Sequence, residues 1–472
     1  MAEYADIVVV GAGPAGMEAA ATAAGAGALV AIIDRYPSPG GQYFRRIPER
    51  FVQNEYTSND KQANNLLRKI RSPRIRLFSS TVAWNIEKAS ASGQALWRLF
   101  LAGDGAPGEI VAKAVILATG AHERLVAFPG WTLPGVFTAG AVQAMIKGQR
   151  VLPGKRFVVS GTGPLQLAAA AQLVWAGAEV VGVYESARPG LAWLPHIPAL
   201  WGQWSRFAEG FSYFHALKKA GVPYQMGRTV IEARGSEQVE EIVTARVDKR
   251  GNPVTGSEQI FSADTLVIGY GFQPLNDLAR LLGCIHDFCE DTGGFVIRRN
   301  DGMETTVRGV FSAGDGSAIG GAVLARIEGR IAGNSAACQL GFISDKAMHE
   351  TWLRERSALK RERRFACFLA ALFAPGPGLY GLARKDTVIC RCEDITLGEI
   401  ENAIDAGCSS MALVKRLTRA GMGSCQGHVC GQLVEKILER KAGIDPARMQ
   451  RTSVRAPVFP VPFRLMDREG SQ

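Results

Sequence analysis

At 472 residues the chain is long enough for about three domains. Apolar residues make up 47% and charged residues 21%, which excludes wholesale disorder, and the 54 glycines have no three-residue period, which excludes collagen. The 54 basic and 44 acidic residues leave a net charge of +10, but no zinc-finger, basic-zipper or RNP pattern accompanies it, so nucleic acid is a poor partner.

The first element is a short β-branched run at residues 6–10, followed by Gly11-Ala12-Gly13-Pro14-Ala15-Gly16. A helix of small residues at 17–26 and a second strand at 28–33, ending in Asp34, complete a βαβ unit with the dinucleotide fingerprint in its required setting. Gly11 permits the tight turn, Gly13 lets the backbone approach a pyrophosphate, and Gly16 lets helix and strand pack closely. The helix start supplies free N–H groups and a positive dipole end for phosphate. Asp34 is placed to accept hydrogen bonds from a ribose, worth about 1.5–3 kcal/mol each. Residues 7–33 are apolar with Glu18 their only charge, yet five glycines and Pro14 interrupt them, so they do not read as a membrane span. The N-terminus lacks the basic region and cleavage site of a signal peptide. Nine cysteines, an odd number, argue against a disulfide framework and for the cytoplasm, with a place at the periphery of the inner membrane left open.

A strand at 111–117 runs into Ala118-Thr119-Gly120. A second βαβ unit begins at Arg156, with a strand at 157–160, the turn Gly161-Thr162-Gly163-Pro164-Leu165-Gln166, a helix at 167–176 and a strand at 179–184 ending at Glu185. Gln166 replaces the third glycine, which puts close helix–strand packing in doubt. NAD(P)H, another adenine nucleotide such as ATP, or an empty structural loop all fit Gly161, Gly163 and Glu185. Residues 193–213 carry three of the eight tryptophans with Phe207, Phe211 and Tyr213, and read as a buried helical packing surface, with a partner interface as the alternative. Cys284 and Cys289 flank His286 in a loop, and a strand at 309–313 ends in Gly314-Asp315 before a helix from Gly321. The run from Arg354 to Arg364 has six basic and two acidic residues and reads as a solvated helix face.

From Thr387 the texture changes. Cys390, Cys392, Cys425 and Cys430 form a C-x-C and a C-x4-C pair, enough thiolates for a [2Fe–2S] centre or a tetrahedral zinc. Glycines around Cys425 free backbone N–H groups to point at sulfur. Cys408 reads as a buried apolar residue and His428 as a loop histidine. The proline-rich tail at 455–462 cannot form a helix and reads as an extended segment docking on a partner, or as a free end.

The two fingerprints, the Ala118-Thr119-Gly120 turn and the GVFSAGD run at 309–315 resemble the two-dinucleotide-domain flavoprotein reductases. The resemblance implies FAD as cofactor, with Asp315 on the flavin ribityl chain, and Arg35, Gly41 and Gln42 near the cofactor. It also implies what is missing: the redox cysteine pair that disulfide reductases carry beside the flavin. The cysteine segment resembles the bacterioferritin-associated type of [2Fe–2S] domain, in the C-x4-C variant of bacterial amino-acid and opine dehydrogenases, and this favours iron–sulfur over zinc. The whole order resembles the alpha subunits of heteromeric opine, proline and hydroxyproline dehydrogenases and of hydrogen cyanide synthase.

The expected fold class is therefore α/β, with two Rossmann-like dinucleotide-binding domains and a small C-terminal helical [2Fe–2S] domain. The expected boundaries are 1–150 and 295–345 for FAD, 151–294 for the second nucleotide-binding-like domain, 346–384 for a basic helical linker, 385–445 for the [2Fe–2S] domain and 446–472 for the tail. No motif for substrate catalysis is present, and the six histidines are scattered. The resemblance implies that an FAD-dependent beta subunit oxidises the C–N bond of an amino acid, imino acid or opine. Electrons would then pass through this chain to a quinone or other carrier. It is compatible with an FMN at the interface between subunits and with a small third subunit. A self-contained NAD(P)H-dependent reductase and a zinc-bearing assembly module are the competing readings.

Overall fold

In the computed structural model, which describes residues 3–45, 58–91, 94–188 and 191–466, the chain forms two compact units. The first comprises Met1–His122, Gln273–Ala366 and Ser453–Gln472; the second comprises Glu123–Phe272 and Cys367–Thr452.

The chain starts in the first unit with β1 (Glu3–Val10), α1 (Pro14–Gly25), β2 (Val30–Ile33), α2 (Ser58–Ile70), β3 (Ile75–Phe78), β4 (Val82–Ala91), β5 (Gln94–Ala102) and β6 (Glu109–Leu117). These strands form a sheet in the order β3-β2-β1-β6-β5-β4. β1 lies parallel between β2 and β6, with Ile7 opposite Val30 and Val10 opposite Leu117. Covered on both faces, Ile7, Val8 and Val9 have no solvent exposure, which is why this strand reads as an unbroken apolar run.

The second unit follows with β7 (Val136–Thr138), α3 (Ala139–Ala144), β8 (Arg156–Gly161), α4 (Pro164–Trp175), β9 (Glu179–Glu185), α5 (Trp204–Lys219), β10 (Tyr224–Met226), β11 (Arg228–Arg234), β12 (Glu241–Arg246), β13 (Gln259–Ser262) and β14 (Thr265–Gly269). Its parallel sheet runs β10-β9-β8-β14-β7, and β11-β12-β13 form an antiparallel sheet. The expected boundary at 150 lies inside this unit, because Val136–Thr138 pairs in parallel with β14, Leu266 opposite Val136. The return to the first unit comes at Gln273 instead of 295. Leu278, Ala279 and Cys284 are buried with Val8, Ile33 and Leu117 in one apolar cluster, which explains the early return.

Back in the first unit, β15 (Val310–Ser312) pairs with β6, and α6 (Ala322–Gln339) packs along α1. The α1–α6 contact is backbone-close: a Cβ on Gly329 would overlap the Ala15 carbonyl, and one on Gly333 the Ala19 carbonyl. Glu18, 1% exposed, is held by Arg326 at 2.9 Å and Arg330 at 3.3 Å, so its buried charge is paired. On α7 (Asp345–Leu372), Arg354, Arg356, Lys360, Arg361, Arg363 and Arg364 are exposed while Leu359 and Phe365 are buried, as a solvated helix face requires.

The chain leaves the first unit within α7, and α8 (Leu397–Asp405), α9 (Met411–Thr418) and α10 (Gly431–Ala442) belong to the second. The cysteine segment does not stand apart there. Ile389, Cys390, Ile400, Val434 and Leu438 share a single core with Trp131, Tyr184 and Tyr270. The tail, expected on a partner or free, lies on its own chain: Val458 is 4% exposed and its N–H donates to the Trp84 carbonyl at 3.0 Å. Residues 467–472 of that tail lie outside the described residues.

The helix contact yields a stability test. Gly333→Ala must push α6 off α1 and is expected to cost about 1–3 kcal/mol in urea denaturation. Gly25→Ala, which meets no atom within 4 Å, should cost nothing.

Candidate functional site

The first cradle forms where β1 turns into α1. Gly11 has φ +107, and a Cβ there would overlap the Ala118 carbonyl, while one on Gly16 would overlap the Gly11 carbonyl. Gly13 faces open space within 4 Å, no side chain caps α1, and Pro14 sits in its first turn. The start of α1 is thus bare backbone with its N–H groups unspent, which is what a pyrophosphate needs. Asp34, 5% exposed, ends β2 and accepts from the N–H of Ala12 and, at 2.8 Å, from that of Tyr36. Burial raises its carboxyl above the ordinary aspartate value, against the pull of those two N–H groups and of Arg35.

Around this turn the structure gathers most of the other expected residues. Gly41, at φ +61, lies so near Gly13 that a Cβ would sit 2.9 Å from the Gly13 Cα, and the Gly40 N–H donates to Ala12 at 2.8 Å. Gln42 reaches the Tyr36 hydroxyl at 2.8 Å, and Arg45 donates to Gln42 at 2.9 Å. The Thr119 hydroxyl bonds the Leu275 carbonyl, and Gly120 takes φ +75. Gly314, at φ +76, fits between Ala15 and Ala325, and its N–H donates at 3.0 Å to the buried Glu328, which pairs with Arg299. That fixes the turn carrying Asp315. Its Oδ1 accepts from Gly320 at 2.9 Å and Gly321 at 2.8 Å. Asp315 keeps some contact with solvent, yet its surroundings are close enough for burial to raise its carboxyl. An open glycine floor, an uncapped helix and two carboxylates along the sheet end fit an extended dinucleotide such as FAD.

The second loop repeats the first. Gly161 lies against the Gly269 carbonyl, Gly163 at φ +105 is open, and Glu185 accepts from Gly163 at 2.9 Å and Ala187 at 2.8 Å. The doubt over Gln166 resolves here. Its amide donates to the Gly269 carbonyl at 3.1 Å, so the side chain joins α4 to β14 where the missing glycine would have let them touch. The Thr162 hydroxyl donates to the Phe373 carbonyl at 3.0 Å. Glu185 is 1% exposed, and burial lifts its carboxyl to about 7.

In the cysteine segment the thiols meet two by two. Cys392 bonds Cys425, and Cys390 bonds Cys430, whose sulfur also feels Cys425. Among the described residues no three His, Cys, Asp or Glu side chains converge on one ion. Four thiolates suit a [2Fe–2S] centre, two to each iron, or one tetrahedral zinc. The N–H groups of Val429 and Gly427 point at Cys425, and the Cys425 N–H holds the Cys392 thiol below its ordinary value. Gly423 leaves room for Cys392, whose Cβ a side chain would overlap. Cys408 packs against the apolar core. Cys284 is buried and donates to Thr305 at 3.4 Å in the first unit, and His286 bonds the Cys284 carbonyl at 2.8 Å.

One supporting residue escaped the sequence reading. Trp131, 2% exposed, donates its indole N–H to the Val388 carbonyl at 2.7 Å, and Arg391 lies over its ring at 5.6 Å. It holds the strand of Cys390 from 257 residues away, and no local pattern signals that.

Comparison with known proteins gives one coherent picture. The family model for pyridine nucleotide-disulphide oxidoreductases matches residues 5–332, and that for the BFD-like [2Fe-2S] binding domain matches residues 388–440. Hydrogen cyanide synthase subunit HcnB of Pseudomonas aeruginosa is 35% identical, with 98% of this chain and 99% of its own covered. An opine oxidase subunit of Agrobacterium tumefaciens is 32% identical over 98% of this chain and 91% of its own. The crystal structure of L-proline dehydrogenase from P. horikoshii shares the fold with a TM-score of 0.72, at 19% identity over 99% of this chain and 81% of that one.

Two outcomes follow from the site. Glu185 holds its proton more tightly folded than unfolded, so the folded state loses stability as pH rises from about 4.5 to about 7. That loss is at most about 3 kcal/mol. Glu185→Gln should therefore gain on the parent in urea titrations between pH 5 and pH 8; a pH-independent difference would show that the carboxyl ionises freely in the fold. Cys390→Ser and Cys392→Ser should each lose iron and acid-labile sulfide, while Cys408→Ser retains the parent content.

Proposed function

The chain belongs to the pyridine nucleotide-disulphide oxidoreductase family and is an oxidoreductase with FAD and a [2Fe–2S] cluster as cofactors, and from that premise we propose that it is the electron-transfer subunit of a heteromeric flavin-dependent dehydrogenase. A separate flavoprotein subunit oxidises the C–N bond of an opine, amino acid or imino acid, and electrons leave through this chain to a quinone or other carrier. We place the assembly in the cytoplasm; among the described residues no helix is long and apolar enough to cross a membrane.

The observation that carries this reading is the pairing, on one chain, of a dinucleotide cradle with four facing thiols and no disulfide-exchange pair in the cysteine positions described. FAD takes up two electrons together and a [2Fe–2S] cluster passes them singly; that is the chemistry the two groups supply when bound. The chain's own residues hold and orient. Gly11, Gly13, Gly16 and the bare start of α1 take the pyrophosphate, Asp34 and Arg35 the ribose end, and Asp315 the ribityl chain. Thr119, Gly120, Gly41 and Gln42 surround the cofactor. Cys390 with Cys430 and Cys392 with Cys425 take one iron per pair.

A partner is supported by a face of the second unit. Trp201 is 78%, Phe211 74% and Trp204 66% exposed; Trp201 meets Trp204 and Trp204 meets Phe207, and the i, i+3, i+7, i+10 spacing puts Phe207, Phe211 and Phe214 on the same side of α5. The sequence expectation of a buried packing surface is overturned there. At roughly 200 Å² per aromatic side chain these five expose about 600 Å². That approaches the ~800 Å² each partner contributes to a standard interface. Relatives named as subunits support a partner there, which we take to be the substrate-oxidising flavoprotein.

The competing reading, a self-contained NAD(P)H-dependent reductase, is favoured by the open Gly163 and by Glu185 at the second loop. A visible spectrum of the pure chain under anaerobic NADH decides between them. The subunit reading expects an unchanged oxidised spectrum that bleaches when the partner and its amine substrate are added. Rapid bleaching by NADH alone overturns it. Trp201→Glu with Trp204→Glu should loosen the assembly at least tenfold in size-exclusion or light-scattering titrations, leaving flavin and iron content unchanged.

A further inference from the structure

We propose that the C-terminal tail is a strap over the adenosine end of the flavin site, acting through Phe459 on Arg35; this rests on the FAD reading above. The tail is fastened to the first unit at two places. Val458 is buried beside Ile33, Leu101 and Leu117, and its N–H is bonded to Trp84. Pro460, Val461 and Pro462 border the same small hollow as Ser80 and Val82. Both fastenings touch the turn that ends β2. The Ser80 N–H donates to the Tyr36 carbonyl at 3.0 Å, and the Thr81 N–H donates to the Asp34 carbonyl at 2.9 Å.

Between the two fastenings, the Phe459 ring lies 5.7 Å from the Arg35 guanidinium carbon. The Tyr36 ring lies 5.2 Å from the same carbon, and Arg45 stands 4.7 Å from the Tyr36 ring. Phe459, Arg35, Tyr36 and Arg45 thus form a column of alternating rings and cations beside Asp34. Arg35 is exposed and, without Phe459, would be held by one ring only. A long flexible side chain clamped between two rings gives up less freedom when it meets a nucleotide. Three prolines within residues 457–462 limit the tail's own freedom before it docks. Phe459 is accordingly a positioning residue: it does not itself meet the cofactor but holds the guanidinium that does.

The test uses the full-length flavinated protein and two probes, FAD and ADP, the latter carrying the adenosine diphosphate half alone. FAD release is followed by flavin fluorescence on dilution, and ADP by its competition with FAD for the deflavinated chain. Phe459→Leu keeps the apolar bulk but removes the ring face. It should weaken both probes about two- to fivefold, the size of one exposed cation–π contact. Phe459→Trp should restore the parent values, and Phe459→Leu should add nothing in an Arg35→Ala background. Unchanged FAD and ADP affinities in Phe459→Leu, with Arg35→Ala weakened, would sink the strap and leave the flavin site standing. If Arg35→Ala and Asp34→Ala also leave both probes unchanged, the assignment of FAD to this cradle fails with it.

Discussion

Close approach of backbone to backbone governs this molecule. Gly11 against Ala118, Gly161 against Gly269, Gly329 against Ala15 and Gly333 against Ala19 are contacts with no space for a methyl group. The first two draw the ends of neighbouring strands together, and the last two draw α6 onto α1, closer than side chains allow. In both βαβ units the helix start then stands directly over the sheet end, with bare N–H groups facing outward. A glycine in a helix forgoes about 0.5–1 kcal/mol relative to alanine, and the chain accepts that loss repeatedly. The abundance of glycine is thus the compositional shadow of the packing that makes a phosphate site.

The same geometry makes the acids at the strand ends work in two ways. Asp34 and Glu185 each accept two backbone N–H groups, one from the glycine loop and one from two residues further along their own chain. A buried carboxylate so placed ties the loop to the neighbouring strand whether or not a ribose is present. The two differ in environment: Arg35 and Arg45 stand near Asp34, whereas Glu185 has only backbone and Thr162 to offset its burial. Cations thus stand beside the first acid and not among the groups that offset the burial of the second, although both acids accept the same pattern of backbone hydrogen bonds.

What could be read from the sequence is what is local in it. Each glycine loop with the acid that follows it, and the four cysteines, fall within a stretch of 24 to 41 residues, and each keeps its expected element. Long-range pairings were invisible. Residues 123–150 belong with β14 because of a strand pair more than a hundred residues apart, and Trp131 serves the cysteine strand from another part of the chain. Gln166 looked like a defect because its partner, the Gly269 carbonyl, is remote. The aromatic segment around α5 was misjudged for a different reason. Hydrophobicity states what a side chain prefers, not what the same chain has available to cover it.

Each unit is assembled from segments that are distant along the polypeptide, and the chain crosses between them four times. This has a consequence for synthesis. The first unit takes its last segment from Ser453 onward, and the second takes its last segment up to Thr452. At a translation rate of about 5–20 residues per second, about 20 to 90 seconds separate the turn after β2 from the tail that rests beside it. The nascent first unit must wait that long with its apolar sheet edges incompletely covered, as must the second until its cysteine strand arrives at Trp131. Folding of this chain is therefore a late closure of both units, which places the period of greatest exposure to chaperones and to misassembly before the residues from Ser453 onward emerge.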